Sequence, residues 1–257
     1  MEGPLGAYTK QEMMAISAGR LIRNGDILFA GTGIAMLAAT VAKRIHAPEA
    51  VVFFETGSID PLLEELPLAV ADPRVMHGAC LNSGLIEAFS IVAHRRLHTV
   101  AFLGAAQIDR FGNINSTCIG PYERPTVRFS GSGGACDAGS LASAVIIFMQ
   151  HEKRRFVTVL DYLTSPGWLE GNDSRKRAGL SRGGPVAVVS DLGIMKFHDQ
   201  TKEMVLTEYY PGVTAKIIEE NTGFPIDVSL AVESTAPTEE ELRILREEVD
   251  PQRLILR

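Results

Sequence analysis

The sequence is short of the residues that would commit it to several protein classes at the outset. Its three cysteines, Cys80, Cys118 and Cys136, are odd in number and widely spaced, which excludes a disulfide framework and suits a reducing compartment. Together with His77 they lack metal-ligand spacing, so no metal is expected. No apolar run reaches the ~18 residues of a membrane span. The first 25 residues hold Lys10, Glu12, Arg20 and Arg23 and no signal-peptide core, so a cytoplasmic protein is expected. Positive charge is also in deficit: 25 Lys and Arg against 31 Asp and Glu give a net charge of −6. That balance argues against a nucleic acid or an anionic membrane as partner. Repeats and low-complexity tracts are absent, as are the lysine and spacing of a phosphate-binding P-loop.

What is present is ordinary globular composition, 46% hydrophobic and 22% charged over 257 residues, which rules out disorder as the main state. Apolar spacing predicts a helix over 10–23, ended by Asn24-Gly25-Asp26. Ile27–Ala30 reads as a buried strand, Gly31-Thr32-Gly33 as a turn and the following dodecamer as a helix, the opening of a βαβ pattern. Val51–Phe54 is the next strand, Asp60–Glu65 and Leu85–His98 are predicted helices, and Thr99–Ala105 is a third strand. Asp109–Asn113 is a turn by composition, and residues 131–140 form a small-residue loop. Val145–Met149 and Phe156–Leu160 are short apolar runs either side of the charged turn His151–Arg155. A hairpin is expected around Asp191-Leu192-Gly193, then a strand over Met204–Tyr209. Helices follow over Val213–Glu220 and Glu239–Glu248, the last capped by Thr238. The pattern predicts one α/β domain over 1–257, with a mixed, mostly parallel sheet flanked by helices.

Two places carry candidate chemistry. Glu55 stands where four apolar residues end and a glycine turn begins, and ligands of open α/β sheets gather at the carboxyl ends of strands. A carboxylate there can serve as nucleophile or base; it can equally cap a helix or pair with a lysine. Gly131, Gly133 and Gly134 tolerate the backbone angles that let several N–H groups converge, as an oxyanion or phosphate nest or as a tight turn. Gly31-Thr32-Gly33 lacks the third glycine of a dinucleotide fingerprint, position 36 being Met, and close helix–strand packing explains it equally well. Asn113 and Asn115 are turn formers whose amides could reach a substrate carbonyl. Cys136, inside the glycine loop, reads as a small buried hydrophobe.

The segments GTGIAMLAATVAKR, ETG at 55–57, FLGAAQIDRFGNINST, RFSGSGGACD, MQHEKRRF, DYLTSPGW, ENTGF and LREEVDP run in order over nearly the whole chain. In that order and density they resemble the class I CoA-transferases, beta (small) subunits of the glutaconate CoA-transferase type. The resemblance implies a ribose-phosphate isomerase-like α/β fold with a mixed sheet. It implies that Glu55 is the catalytic nucleophile, with Thr56 where the family usually has Ser or Asn. It implies that the G-x-G-G-A-x-D loop, Gly131 to Asp137, supplies oxyanion donors. No tightly bound cofactor is implied; coenzyme A esters are the substrates. An alpha subunit is the implied partner, in a hetero-oligomer. The implied reaction is ping-pong transfer of CoA to a carboxylic or dicarboxylic acid through a glutamyl-CoA thioester. Relatives of the same fold act instead as acyl-CoA decarboxylases, such as the 3-methylglutaconyl-CoA type, or as ring-opening hydrolases. A further alternative is a non-catalytic structural subunit.

Overall fold

The computed structural model describes residues 8–180 and 182–256. Its contacts divide the chain into two compact units, one running to Phe102 and resuming at Thr235, the other Leu103–Ser234.

In the first unit, helix α1 (Lys10–Gly19) starts with a capping box. Glu12 N–H donates to Thr9 Oγ1 at 3.2 Å and Thr9 N–H donates to Glu12 Oε2 at 2.7 Å. Strand β1 (Ile27–Phe29) leads through the Gly31–Gly33 turn into helix α2 (Ile34–Ile45), and strand β2 (Val51–Phe53) follows. Short strands β3 (Ser58–Ile59) and β4 (Leu81–Asn82), helix α3 (Leu85–Ala93) and, as far as Phe102, strand β5 (Thr99–Gly104) complete the run. The strand order is β5-β1-β2-β3-β4. β1 pairs in parallel with β2 and β5, while β3 and β4 add antiparallel at the edge. The Cβ missing from Gly19 would lie 3.1 Å from Ala38 O, so glycine lets α1 approach α2 closely. The core between helices and sheet includes Met13, Ile16, Leu28, Met36, Leu37, Phe53 and Phe54.

The helix expected over Asp60–Glu65 does not form; the chain there is irregular, with one 3₁₀ turn further on at Pro73–Met76. Asp60 has φ +49° and pairs with Lys43, and it precedes Pro61, which disfavours helical backbone at the residue before it. The helix starting at Leu85 stops at Ala93, five residues before the expected end.

In the second unit, two antiparallel ribbons come first: β6 (Gln107–Ile108) with β7 (Ile114–Asn115), and β8 (Cys118–Ile119) with β9 (Val127–Arg128). Helix α4 (Ala135–Leu141) leads into the fully buried strand β10 (Ala144–Met149). Then come α5 (Ser174–Arg177), β11 (Pro185–Ser190), β12 (Gly193–Phe197), β13 (Met204–Tyr209), α6 (Ala215–Glu220) and β14 (Val232–Glu233). The strand order is β14-β13-β12-β11-β10, parallel at β10–β11 and β13–β14 and antiparallel between. The hairpin joins β11 to β12 as expected, with Ser190 Oγ accepting from Leu192 and Gly193 N–H groups at 3.2 Å. Phe156–Leu160 forms no strand, only a bridge from Phe156 to Ile108. The charged turn before it is not wholly solvated. His151 is buried, stacked on Phe156 at 3.9 Å and bonded to Ser190 and Thr222.

Helix α7 (Glu239–Arg243), capped by Thr238, continues as a π-helix over Ile244–Val249 and belongs to the first unit. Arg246 donates there to Glu12, and Arg20 donates to Glu241 and to the carbonyls of Thr235 and Ala236. Both units are thus α/β, with mixed sheets flanked by helices, the class the alternation of apolar runs and helical spacing predicts. Among the described residues no helix is long and apolar enough to cross a membrane.

Candidate functional site

Glu55 occupies the corner of a hairpin between β2 and β3. Phe54 N–H donates to Ser58 O at 3.0 Å, and Gly57 N–H donates to Phe54 O at 2.9 Å. With Gly57 at φ +95°, those two bonds define a tight turn closed by a glycine bulge. Glu55 and Thr56 are its two corner residues. Gly57 O accepts from both Ser83 N–H at 2.9 Å and Ser83 Oγ at 3.0 Å. A Cβ on Gly57 would collide with Ser83 O and come within 2.5 Å of Ser83 C. Thr56 Oγ1 donates to Val70 O at 3.2 Å, and the Ser58 hydroxyl donates to Val75 O. Beneath the turn Phe53 and Phe54 are fully buried, and the Phe29 ring lies 5.4 Å from those of Phe53 and Phe89. Backbone and floor are therefore fixed, while Glu55 itself is half-buried. Among the described residues none bonds to or pairs with its carboxylate. A glutamate serving as a helix cap or as a lysine's partner would show that contact; Lys43 instead holds Asp60.

Gly131-Ser132-Gly133-Gly134, in the second unit, is an anchored loop with a free middle. Gly131 N–H donates to Ser116 O at 3.0 Å, and Ser116 Oγ donates to Gly131 O at 3.0 Å. Ser132 O accepts from Ala135 N–H at 2.9 Å and Ser132 Oγ from Cys136 N–H at 3.0 Å, which starts α4. Gly131 and Gly133 have φ of +91° and +49°, and a Cβ on either would meet nothing within 4 Å. The N–H groups of Gly133 and Gly134 bond to no described residue. Two adjacent amide donors at an exposed bend can hold an anionic oxygen. The loop expected over 131–140 is thus half helix, because Ser132 supplies a cap. Cys136 is exposed on α4 rather than buried, since the first turn of that short helix faces solvent.

Asn113 and Asn115 are structural. Asn113 Nδ2 donates to Asp109 Oδ2 and Leu169 O, both at 2.8 Å, and its Oδ1 accepts from Gly167 and Leu169 N–H groups. Asn115 Nδ2 donates to Gln107 Oε1 and Cys118 O, both at 2.7 Å, and its Oδ1 accepts from Thr117 and Cys118 N–H groups. Both side chains are buried with every amide group engaged, so neither has a donor left for a substrate carbonyl. Burial pushes the neighbouring Asp109 carboxyl up, against three bonds from Phe111 and Asn113 that hold it down. Gly33, at φ +85°, heads α2, and a Cβ there or at Gly31 would find open space. Backbone conformation, not close packing, therefore explains glycine at position 33. Among the described residues no cluster of His, Cys, Asp and Glu has the geometry of a metal site.

Sequence reasoning missed the supports of both places: Ser83, which clamps the Glu55 turn, and Ser116, Thr164 and Arg175 around the glycine loop. Ser and Thr are ordinary loop residues in a sequence, and nothing local distinguishes Arg175 from the other basic residues of its run, SRKR.

A family model described as coenzyme A transferase matches residues 11–221. One subunit of the glutaconate CoA-transferase from Acidaminococcus fermentans is 44% identical over 95% of this chain and 93% of its own. The crystal structure of that bacterium's glutaconate coenzyme A-transferase superposes with a TM-score of 0.94 at 42% identity, over 98% of each chain. The corresponding subunit of a 3-oxoadipate CoA-transferase from Pseudomonas knackmussii is 40% identical over 94% of both chains. A cholesterol ring-cleaving hydrolase subunit from Mycobacterium tuberculosis is more distant, at 29% over 96% of both. The hairpin glutamate, the glycine loop with its free amides and this likeness over nearly the full length converge: the chain belongs to the coenzyme A transferase family.

Proposed function

We propose that this chain is the catalytic subunit of a two-subunit CoA-transferase that moves CoA from an acyl-CoA to a dicarboxylic acid. The observation that carries the reading is Glu55: an uncommitted carboxylate on a rigid, clamped turn at a strand's carboxyl end. The Glu55 carboxylate attacks the acyl-CoA carbonyl and expels CoA thiolate, leaving a mixed anhydride. The thiolate then attacks the glutamyl carbonyl and expels the free acid, leaving a glutamyl-CoA thioester. The acceptor carboxylate runs the same steps backwards. A carboxylate nucleophile needs no separate base at neutral pH. The amides of Gly133 and Gly134 are assigned to the anionic oxygen of the acyl group, and loss of one such donor typically costs roughly 2.7–4 kcal/mol of barrier. Gly131 is assigned to holding that loop rather than to substrate, its own N–H being engaged by Ser116. Dicarboxylates are favoured because the two transferase relatives are named for glutaconate and 3-oxoadipate, each an acid with two carboxyl groups. Both relatives are named as single subunits of their enzymes, which supports an alpha-type partner in a hetero-oligomer. The cytoplasm is proposed as the setting from the cysteine pattern alone.

The test is intact mass of the co-expressed two-subunit complex after incubation with a panel of acyl-CoA esters. The expected product is a gain on this chain of one CoA less one water at Glu55, reversed by a carboxylic acid. In Glu55→Gln the adduct is absent and turnover falls by roughly three orders of magnitude or more. Because no described residue bonds to the Glu55 carboxylate, stability shifts by no more than about 0.5 kcal/mol. Acyl-CoA consumed without an adduct, with carbon dioxide or free acid released, overturns the transferase reading in favour of a decarboxylase or hydrolase.

A further inference from the structure

Arg175 is the least expected side chain in the second unit. It is 2% exposed, yet among the described residues none of its partners is a carboxylate. Its guanidinium donates only to carbonyls. Nη2 reaches Gly139 O at 2.8 Å and Ser140 O at 3.2 Å, in the last turn of α4. Nη1 reaches Gly167 O at 2.9 Å and Pro166 O at 3.1 Å. Nε and Nη2 both reach Arg182 O. Burial alone pulls its pKa down to about 10, so it stays charged at neutral pH. Burying a cation without a counter-charge is unfavourable. Joining three loops does not require a charge, but capping a helix's final carbonyls favours one.

The segment it binds is the frame on which the glycine loop is hung. At the loop's entry, Gly131 is bonded in both directions to Ser116, whose N–H donates to Thr164 Oγ1 at 2.9 Å. At the exit, Gly139 packs against Ser165 and Pro166, where a Cβ would lie 3.1 Å from Ser165 Cβ. Gly167 N–H donates to Asn113 Oδ1 at 2.8 Å. Entry and exit are thus tied to one frame, residues 113–117 and 164–167, while among the described residues the Gly133 and Gly134 amides in the bend between have no partner. We propose that Arg175 is a positioning residue that locks the end of α4 to this frame and so holds the Gly133–Gly134 amide pair in place for the acyl oxygen. The proposal rests on the role assigned to those amides above.

The experiment uses the two-subunit complex with wild type, Arg175→Lys and Gly139→Ala. Lysine keeps the charge but cannot span three sets of carbonyls with a fork; the alanine methyl presses α4 away from Ser165. Acyl-CoA turnover is followed, so the comparison holds for whichever acyl-CoA reaction the complex performs. The expected result is kcat down 10-fold or more in both variants, KM for acyl-CoA and acid within threefold of wild type, and hydrogen exchange in α4 at least 10-fold faster. Should Arg175→Lys fail to assemble, Gly139→Ala alone carries the test. A folded variant with kcat within twofold of wild type overturns the proposal. So does a loss in which KM rises as much as kcat falls, the mark of general distortion. A wild type that turns over acyl-CoA but never carries CoA on Glu55 overturns the transferase reading instead and leaves the kcat comparison standing.

Discussion

A single glycine decides whether Glu55 is presented. Gly57 adopts φ +95°, and a Cβ there would strike the carbonyl of Ser83, the residue whose N–H and hydroxyl anchor the turn. Gly57→Ala is expected to cost about 1–3 kcal/mol of stability and to lower turnover far more than the stability loss explains, because relief of the clash moves the Glu55 corner. Urea unfolding beside steady-state kinetics on one preparation separates the two effects. His151 makes the opposite kind of prediction, about stability without activity. Burial lowers its pKa from 6.5 to about 4, only partly opposed by the nearby Asp191 charge. The unfolded chain therefore takes up a proton below about pH 6.5, whereas the fold refuses it until about pH 4. Stability from this group is intact at neutral pH and is lost as pH falls through that window, by up to about 1.4 kcal/mol per unit. Between pH 7 and 5 wild type should lose about 2 kcal/mol more than His151→Asn. Equal acid sensitivity in the two proteins would count against the assignment.

Among the secondary-structure elements, the ends of the first unit's chain are joined by charge as well as by packing. The Glu12 side chain is 3% exposed and takes Arg246 at 2.6 Å while closing the capping box of α1. Burial works to raise its carboxyl, and the Arg246 bonds and the Thr9 cap outweigh that and hold it down. Removing Arg246 leaves a buried carboxylate unpaired, so Arg246→Ala is expected to destabilise by about 3 kcal/mol. Replacing both Arg246 and Glu12 with apolar residues should cost less than the single change, which a double-mutant cycle measures directly. The helix itself was legible in the apolar spacing over 10–23, but neither its Thr9–Glu12 capping box nor the Arg246 partner 234 residues on was read from it.

At the scale of the whole molecule, an apolar edge follows the Glu55 turn in the first unit. Leu62, Leu68, Met76, Leu81, Leu85 and Ile86 are all at least half exposed, and β4 ends the strand order, so among the described strands none pairs with its outer edge. Exposed apolar patches of this kind mark protein contacts or aggregation hazards. The chain expressed alone is expected to be inactive and to self-associate, and co-expression with an alpha-type partner should restore both turnover and a defined mass. Light scattering and an acyl-CoA assay on the two preparations check it; a monodisperse, active single chain would contradict it.

The strand–turn–helix opening, the buried apolar runs and the place of Glu55 at a strand end are legible in residue order, because they follow from local periodicity and from glycine's backbone freedom. Family-like segments from residue 31 to residue 251 made the chemistry legible too. Which polar residues were free to act was settled by packing. Asn113 and Asn115 look available in a turn-rich sequence, yet the fold engages every amide group they have. Arg175, which nothing in the sequence singles out, is buried against carbonyls from three segments. Asp60–Glu65 looks helical by composition, yet Asp60's ion pair with Lys43 and the proline after it keep the chain irregular. A hydrogen-bonding group's availability depends on partners distant in sequence, and those partners are chosen when the chain packs.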